Sequence, residues 1–200
     1  QHVVNTTTFS GGIYVDDGHE FTIDRELGDA NAAVGSLGKR GPGTLNINSP
    51  VNLRGGQSYW DLGTVNVNTA VTLANLHLRS AVVNIGEGGS ITLTSGYNSF
   101  GQDSTGTNGG PDIAVINLTG NGTLIQDNGD DFNISDNANT QGTINIRDNA
   151  TLTTGGITWL GKNSGGVGRI NQEGGTVNIN RTGNFALVLG DGRNNRTATG

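Results

Sequence analysis

The sequence predicts an all-β fold, a single-stranded parallel β-helix (a β-solenoid) of about seven irregular coils with inserted loops. Three observations predict it. A short phrase recurs: GTLNIN begins at Gly43, GTVNVN at Gly63, GTINIR at Gly142 and GTVNIN at Gly175. Each copy alternates aliphatic and polar residues with period two, the pattern of a half-buried strand. The composition agrees, with 35 Gly in 200 residues, 14% charged residues, and no Cys or Met. So many turn formers among scattered Val, Ile and Leu suit short strands and tight corners better than helices. The regular spacing of the apolar residues separates this chain from low-complexity disorder. A β-sandwich is the alternative architecture, and crossover chirality makes a right-handed coil the expectation.

The chain reads as a single solenoid domain over 1–200. Residues 1–42 form an N-terminal coil plus an irregular or helical insertion, and 43–200 form the repeat coils. QHVVNT opens the chain as an early strand around Asn5. In DRELGDANAAVGSLGKR, 24–40, Leu27, Val34 and Leu37 have loosely helical spacing, weakened by Gly28 and Gly35. A short helix against the solenoid side, or a loop, is expected there. From residue 43 the motif anchors on Asn46, Asn66, Asn84, Asn117, Asn145 and Asn171, at intervals of 20, 18, 33, 28 and 26 residues.

A second apolar group follows each anchor: Val51 and Leu53, Val71 and Leu73, Ile91 and Leu93, then Leu124, Leu152, and Val177 with Ile179. A third segment completes most coils: NLHLRS from Asn75, DFNISD from Asp131, ITWLGK from Ile157 and FALVLG from Phe185. TSGYNSFGQDSTGTNGGPD, 94–112, reads as a long polar insertion, the kind of loop that often carries function.

The alternation places Leu45 and Ile47 on one side of their strand and Thr44 and Asn46 on the other. With coils about 4.8 Å apart, the inward residues stack into aliphatic columns that no single coil could bury alone. The outward asparagines, Asn46 through Asn171, are expected to form a ladder of side-chain amides along the axis.

From Trp159 the chain reads WLGKNSGGVGRINQEGGTVNIN, and from Val188 it reads VLGDGRNNRTATG. These phrases resemble repeats of large secreted bacterial proteins, the autotransporter passengers and the β-strand-repeat proteins with a PEP-CTERM sorting tail. The resemblance covers about the last quarter well and the preceding hundred residues loosely. It implies a surface or matrix β-helix, extracellular or at a bacterial cell surface. Aligning the two phrases on Gly161 and Gly190 puts Gly200 near Gly168, so the sequence stops where another coil would start. An uncapped end of that kind has two explanations: these residues are cut from a longer repeat protein, or one copy's end pairs head-to-tail with the next copy's beginning into a filament, which is the expectation here. The expected subunit interface sets Val3, Val4 and Asn5 of one copy against Leu187, Leu189 and Gly200 of the next. The expected partners are further copies of the chain and extracellular polysaccharide.

Other functions find less support. A net charge of -6 with 11 Lys and Arg forms no basic stripe for nucleic acid. No run approaches the roughly 18 apolar residues of a membrane-spanning helix. Gln1 in place of Met reads as a processed N-terminus, as after removal of a secretory signal.

QDNGDDFNISDN offers Asp127, Asp130, Asp131 and Asp136 as weak calcium candidates, without the spacing of a calcium-binding loop. Asp16 and Asp17 beside Gly18 read as a turn, and His2, His19 and His77 lack ligand spacing. His77, between two leucines, is expected to face solvent. No catalytic constellation stands out, and no cofactor is expected. Thr-x-Asn-x-Asn rows at Thr44, Thr64 and Thr176 could order water as ice-binding faces do. Val82, Val115 and Arg169 break that array. Seven N-x-[ST] sequons occur, at Asn5, Asn117, Asn121, Asn133, Asn149, Asn180 and Asn195, several expected by chance in so Asn-rich a chain. The runner-up to a structural role is a carbohydrate-active or carbohydrate-binding β-helix.

Overall fold

The computed structural model describes residues 8–29, 31, 33–103 and 111–190. These residues form one 18-stranded sheet wound into a solenoid, in which the registered strand pairs run parallel. No helix occurs among them. Each turn lays one strand on each of three faces. The first face holds Glu20–Ile23, Thr44–Ile47, 64–67, 82–85, Ile113–Leu118, Gln141–Ile146 and Val167–Gln172, one strand for each of seven turns. The second face runs from Leu27–Gly28 through 51–53, 70–73, Ser90–Leu93, Thr123–Gln126 and Thr151–Thr154 to Thr176–Ile179. The third begins with Ser10–Tyr14 and Ser36–Arg40. It continues through 57–60, 75–78, Asn98–Phe100, Phe132–Ile134 and Thr158–Leu160, and ends at Leu187–Leu189.

Alternation explains the interior. Leu45, Val65, Val83, Ile116 and Ile144 occupy one register column, and all five are fully buried. Val51, Val71, Ile91, Leu124 and Leu152 form the matching column of the second face, and Trp60, Leu78, Phe100, Ile134 and Leu160 that of the third. Burying each such aliphatic side chain contributes roughly 1.5–3 kcal/mol. The column shape makes that gain depend on the turns above and below.

Polar residues at inward positions are satisfied locally. Ser58 Oγ accepts from the Leu37 amide at 3.1 Å, and Asn98 Oδ1 accepts from the Leu76 amide at 2.9 Å. Thr154 and Thr158 join their hydroxyls at 2.7 Å. These bonds bridge one turn to the next or close a corner, and a buried polar group left unpaired there would cost about 1–3 kcal/mol.

Two regions differ from the sequence expectation. The described residues of 24–40 hold no helix: Leu27–Gly28 and Ser36–Arg40 complete the first turn as second-face and third-face strands. The glycines that weaken a helix here turn the corners instead, with Gly28 at φ 96° and Gly35 at φ 79°. The polar stretch 94–112 is also shorter than it reads, because Asn98–Phe100 is a third-face strand that buries Phe100. Asp112 links Asp103 to the strand that carries Ser80. Its carboxylate accepts from the Asp103 amide at 2.8 Å and from Ser80 Oγ at 3.1 Å. Burial pushes the Asp112 carboxyl above its ordinary pKa, opposed by those two hydrogen bonds.

Candidate functional site

The structure places all six predicted asparagines in one column on the outside of the first face. Asn66 Nδ2 donates to Asn46 Oδ1 at 2.8 Å, Asn84 to Asn66 at 2.9 Å and Asn117 to Asn84 at 2.9 Å. Asn145 then donates to Asn117 at 2.8 Å and Asn171 to Asn145 at 2.9 Å. Every bond points the same way along the axis. Asn46 starts the series by donating to Glu20 Oε2 at 3.0 Å. A carboxylate only accepts, so Glu20 fixes the direction of the whole ladder. The residue in register with Asn46 on the preceding strand is Thr22. A shorter parallel rung joins Asn68 Nδ2 to Asn48 Oδ1 at 2.7 Å.

The neighbouring column reads Thr44, Thr64, Val82, Val115, Thr143 and Arg169 in strict register. Its hydroxyls are therefore interrupted at the three positions that break the row in the sequence.

The ladder and the core both run into the last described turn. Leu187 and Leu189 sit in register with Thr158 and Leu160, yet they are 44% and 64% exposed, and Phe185 is 65% exposed. Ile170 and Val177, successors to the buried columns, are only partly covered. At the opposite end, Tyr14 is 68% and Phe21 48% exposed. Val3, Val4, Asn5 and Gly200, the other predicted interface residues, lie outside the described residues.

The acidic stretch is organised by lysine. Lys162 Nζ lies 3.1 Å from Asp131 Oδ2 and 3.6 Å from Asp136 Oδ1, with its ammonium 5.5 Å from the Trp159 ring centroid. Asp130 joins Asp131, Asp136, Lys162 and Arg181 around an open cleft, while Asp127 is not part of that lining. Among the described residues no three His, Cys, Asp or Glu side chains are grouped to share a metal ion. A lysine ammonium, not a set of converging carboxylates, neutralises Asp131.

His77 does not face solvent as its neighbours suggest. It points out of the coil, but the Tyr59 ring stacks on it at 5.0 Å and the Tyr97 ring meets it edge-on at 4.9 Å, leaving it fully buried. Burial pulls its pKa down to about 4, with a smaller upward pull from the Gln102 side chain. The sequence reading also missed Lys39. In SLGKR, Lys39 shares the inward side with Leu37 and is fully buried. Its Nζ donates to the carbonyls of Gly41, Gly43 and Leu62 at 2.5, 2.6 and 2.6 Å. Burial lowers its pKa to about 8, so at neutral pH it remains an ammonium with a proton for each carbonyl.

No protein-family model matches the chain, and neither does any curated protein or solved structure.

Proposed function

We propose that this chain is a structural β-solenoid of the extracellular space or cell surface, and that its copies stack end to end into a filament or matrix. The observation that carries the reading is the last described turn, where Leu187 and Leu189 stand exposed in register with the buried Thr158 and Leu160 of the turn before. Exposed apolar strands with open backbone edges are templates for further strands. The ladder adds direction, because among the described residues Asn171 Oδ1 receives no donor while every earlier rung does. A second copy of the same chain would meet that edge with its own opening strands. Such a heterologous contact does not close on itself and generates a fibre. The low charge content and the Asn- and Thr-rich surface suit an extracellular assembly.

The test is assembly itself. Wild-type protein should sediment as polymer at neutral pH, and the pair Leu187→Asp with Leu189→Asp should remain monomeric with unchanged β-rich circular dichroism. Deleting residues 1–12 should likewise leave a folded monomer. A deletion that still polymerises normally would remove the end-to-end contact from the account.

A further inference from the structure

We infer that the third face carries a binding site for a neutral saccharide, built around the Tyr59 ring near the start of the solenoid. This goes beyond the assembly reading and does not depend on it.

The outward residues of this face explain the site. His77 is in register with Tyr59 in the following turn and covers one side of its ring. The Arg79 guanidinium, from the same following turn, lies 5.7 Å from the ring centroid. In the preceding turn Lys39 pairs with Trp60, which sets Gly38 beside Tyr59, and Gly38 in turn pairs with Gly12. Neither glycine has a side chain to cover the other side of the ring. The result is an open cleft of about 410 Å³ floored by Gly11, Gly12 and Gly38, with Tyr59 at its inner end.

These glycines are not there for backbone freedom. Gly12 and Gly38 lie within extended strands and are absent from the positive-φ residues. A Cβ at Gly12 would approach nothing closer than the Gly38 carbonyl oxygen at 3.7 Å, an ordinary contact. At Gly12 a larger residue would fit the backbone and raise strand propensity, whereas a Cβ at Gly38 would meet the Gly12 Cα at 3.3 Å. Glycine inside a strand weakens it, and its recurring use is to let something else come close.

The rim says what that occupant is. Ser10 and Ser36 place their hydroxyls 3.2 Å apart on one side, next to Gln57, whose Oε1 accepts from Tyr59 Oη at 2.6 Å. On the other side stand Tyr14 and Arg40. Arg40 is the one charged residue of the lining, and it shares the Asp61 carboxylate with Arg79, at 3.2 Å from Oδ2 and 3.6 Å from Oδ1 respectively. An aromatic face edged by hydroxyl, amide and guanidinium groups matches a pyranose ring. The sugar's axial C–H bonds lie against the negative face of the ring, and its equatorial hydroxyls reach the polar rim.

The experiment is calorimetric titration of the full chain with neutral oligosaccharides, using cellohexaose, laminarihexaose and mannohexaose as probes. Saturable binding to at least one is expected. Tyr59→Ala should weaken it at least tenfold, and Tyr59→Trp should retain it. Gly12→Val should abolish it with the melting temperature unchanged or raised, which keeps the test valid even if Tyr59→Ala perturbs folding. No binding of any probe, or equal binding by wild type and Gly12→Val, overturns the proposal. Binding of a planar aromatic such as tryptophanamide in place of all three sugars overturns it as well.

Discussion

Asn117 Nδ2 donates to Asn84 Oδ1 at 2.9 Å although 33 residues separate them, the same geometry that joins Asn84 to Asn66 across 18 residues. Both pairs are also in backbone register, Asn84 with Asn66 and Asn117 with Asn84. Interval length in the sequence and spacing along the axis are therefore independent here. What stays constant is register, held by inward aliphatics and outward amides together.

Register of this kind predicts a graded cost along the ladder. Asn84→Ala removes two side-chain bonds, and Asn171→Ala removes one. At about 0.5–1.5 kcal/mol per net hydrogen bond, the first substitution should cost roughly twice the second in urea unfolding. Equal losses would mean that the amides act only as spacers.

Lys39 should be far more costly to replace. Lys39→Met leaves the carbonyls of Gly41, Gly43 and Leu62 without their donor, and an orphaned buried acceptor costs about 1–3 kcal/mol. A loss of about 3 kcal/mol or more is expected by chemical denaturation. Gly63→Ala should act at the same place. Its Cβ would approach Lys39 Nζ and the Gly43 carbonyl oxygen to about 2.4 Å, at a φ of 78° that side chains avoid. A neutral result for either variant would contradict the buried-ammonium geometry.

His77 gives the fold a pH dependence of definite sign. Its pKa is about 4 when folded against 6.5 when free, so between these values the unfolded chain binds the extra proton. Stability contributed by the neutral imidazole is complete above pH 6.5 and falls as pH drops toward 4, by up to about 3 kcal/mol. His77→Gln should flatten this part of the stability profile relative to wild type. Parallel profiles would show that His77 titrates normally.

The coil repeat was legible because burial imposes period two on every strand, and Leu45 with Ile47 or Val51 with Leu53 carries that period openly. It failed where a polar residue holds an inward position. Lys39 hid the strand Ser36–Arg40, and Asn98 hid Asn98–Phe100, because both bury a polar group that the backbone satisfies. His77 failed for the opposite reason. Its outward direction was readable, but the Tyr59 and Tyr97 rings that cover it come from the neighbouring turn and from a bend 20 residues later in the chain. The asparagine column was visible as spacing, whereas its anchoring by Glu20 depends on the first turn, which the helix-like spacing of Leu27, Val34 and Leu37 obscured.

Electron microscopy of the purified chain at neutral pH shows whether copies stack end to end. The seven turns of the described residues, at about 4.8 Å each, span about 34 Å along the axis. Fibres with an axial repeat of about that length or more are expected, and they should be lost in the Leu187→Asp, Leu189→Asp variant. Dispersed monomers at every concentration tried would contradict end-to-end assembly and leave the solenoid without the role proposed for its open edge.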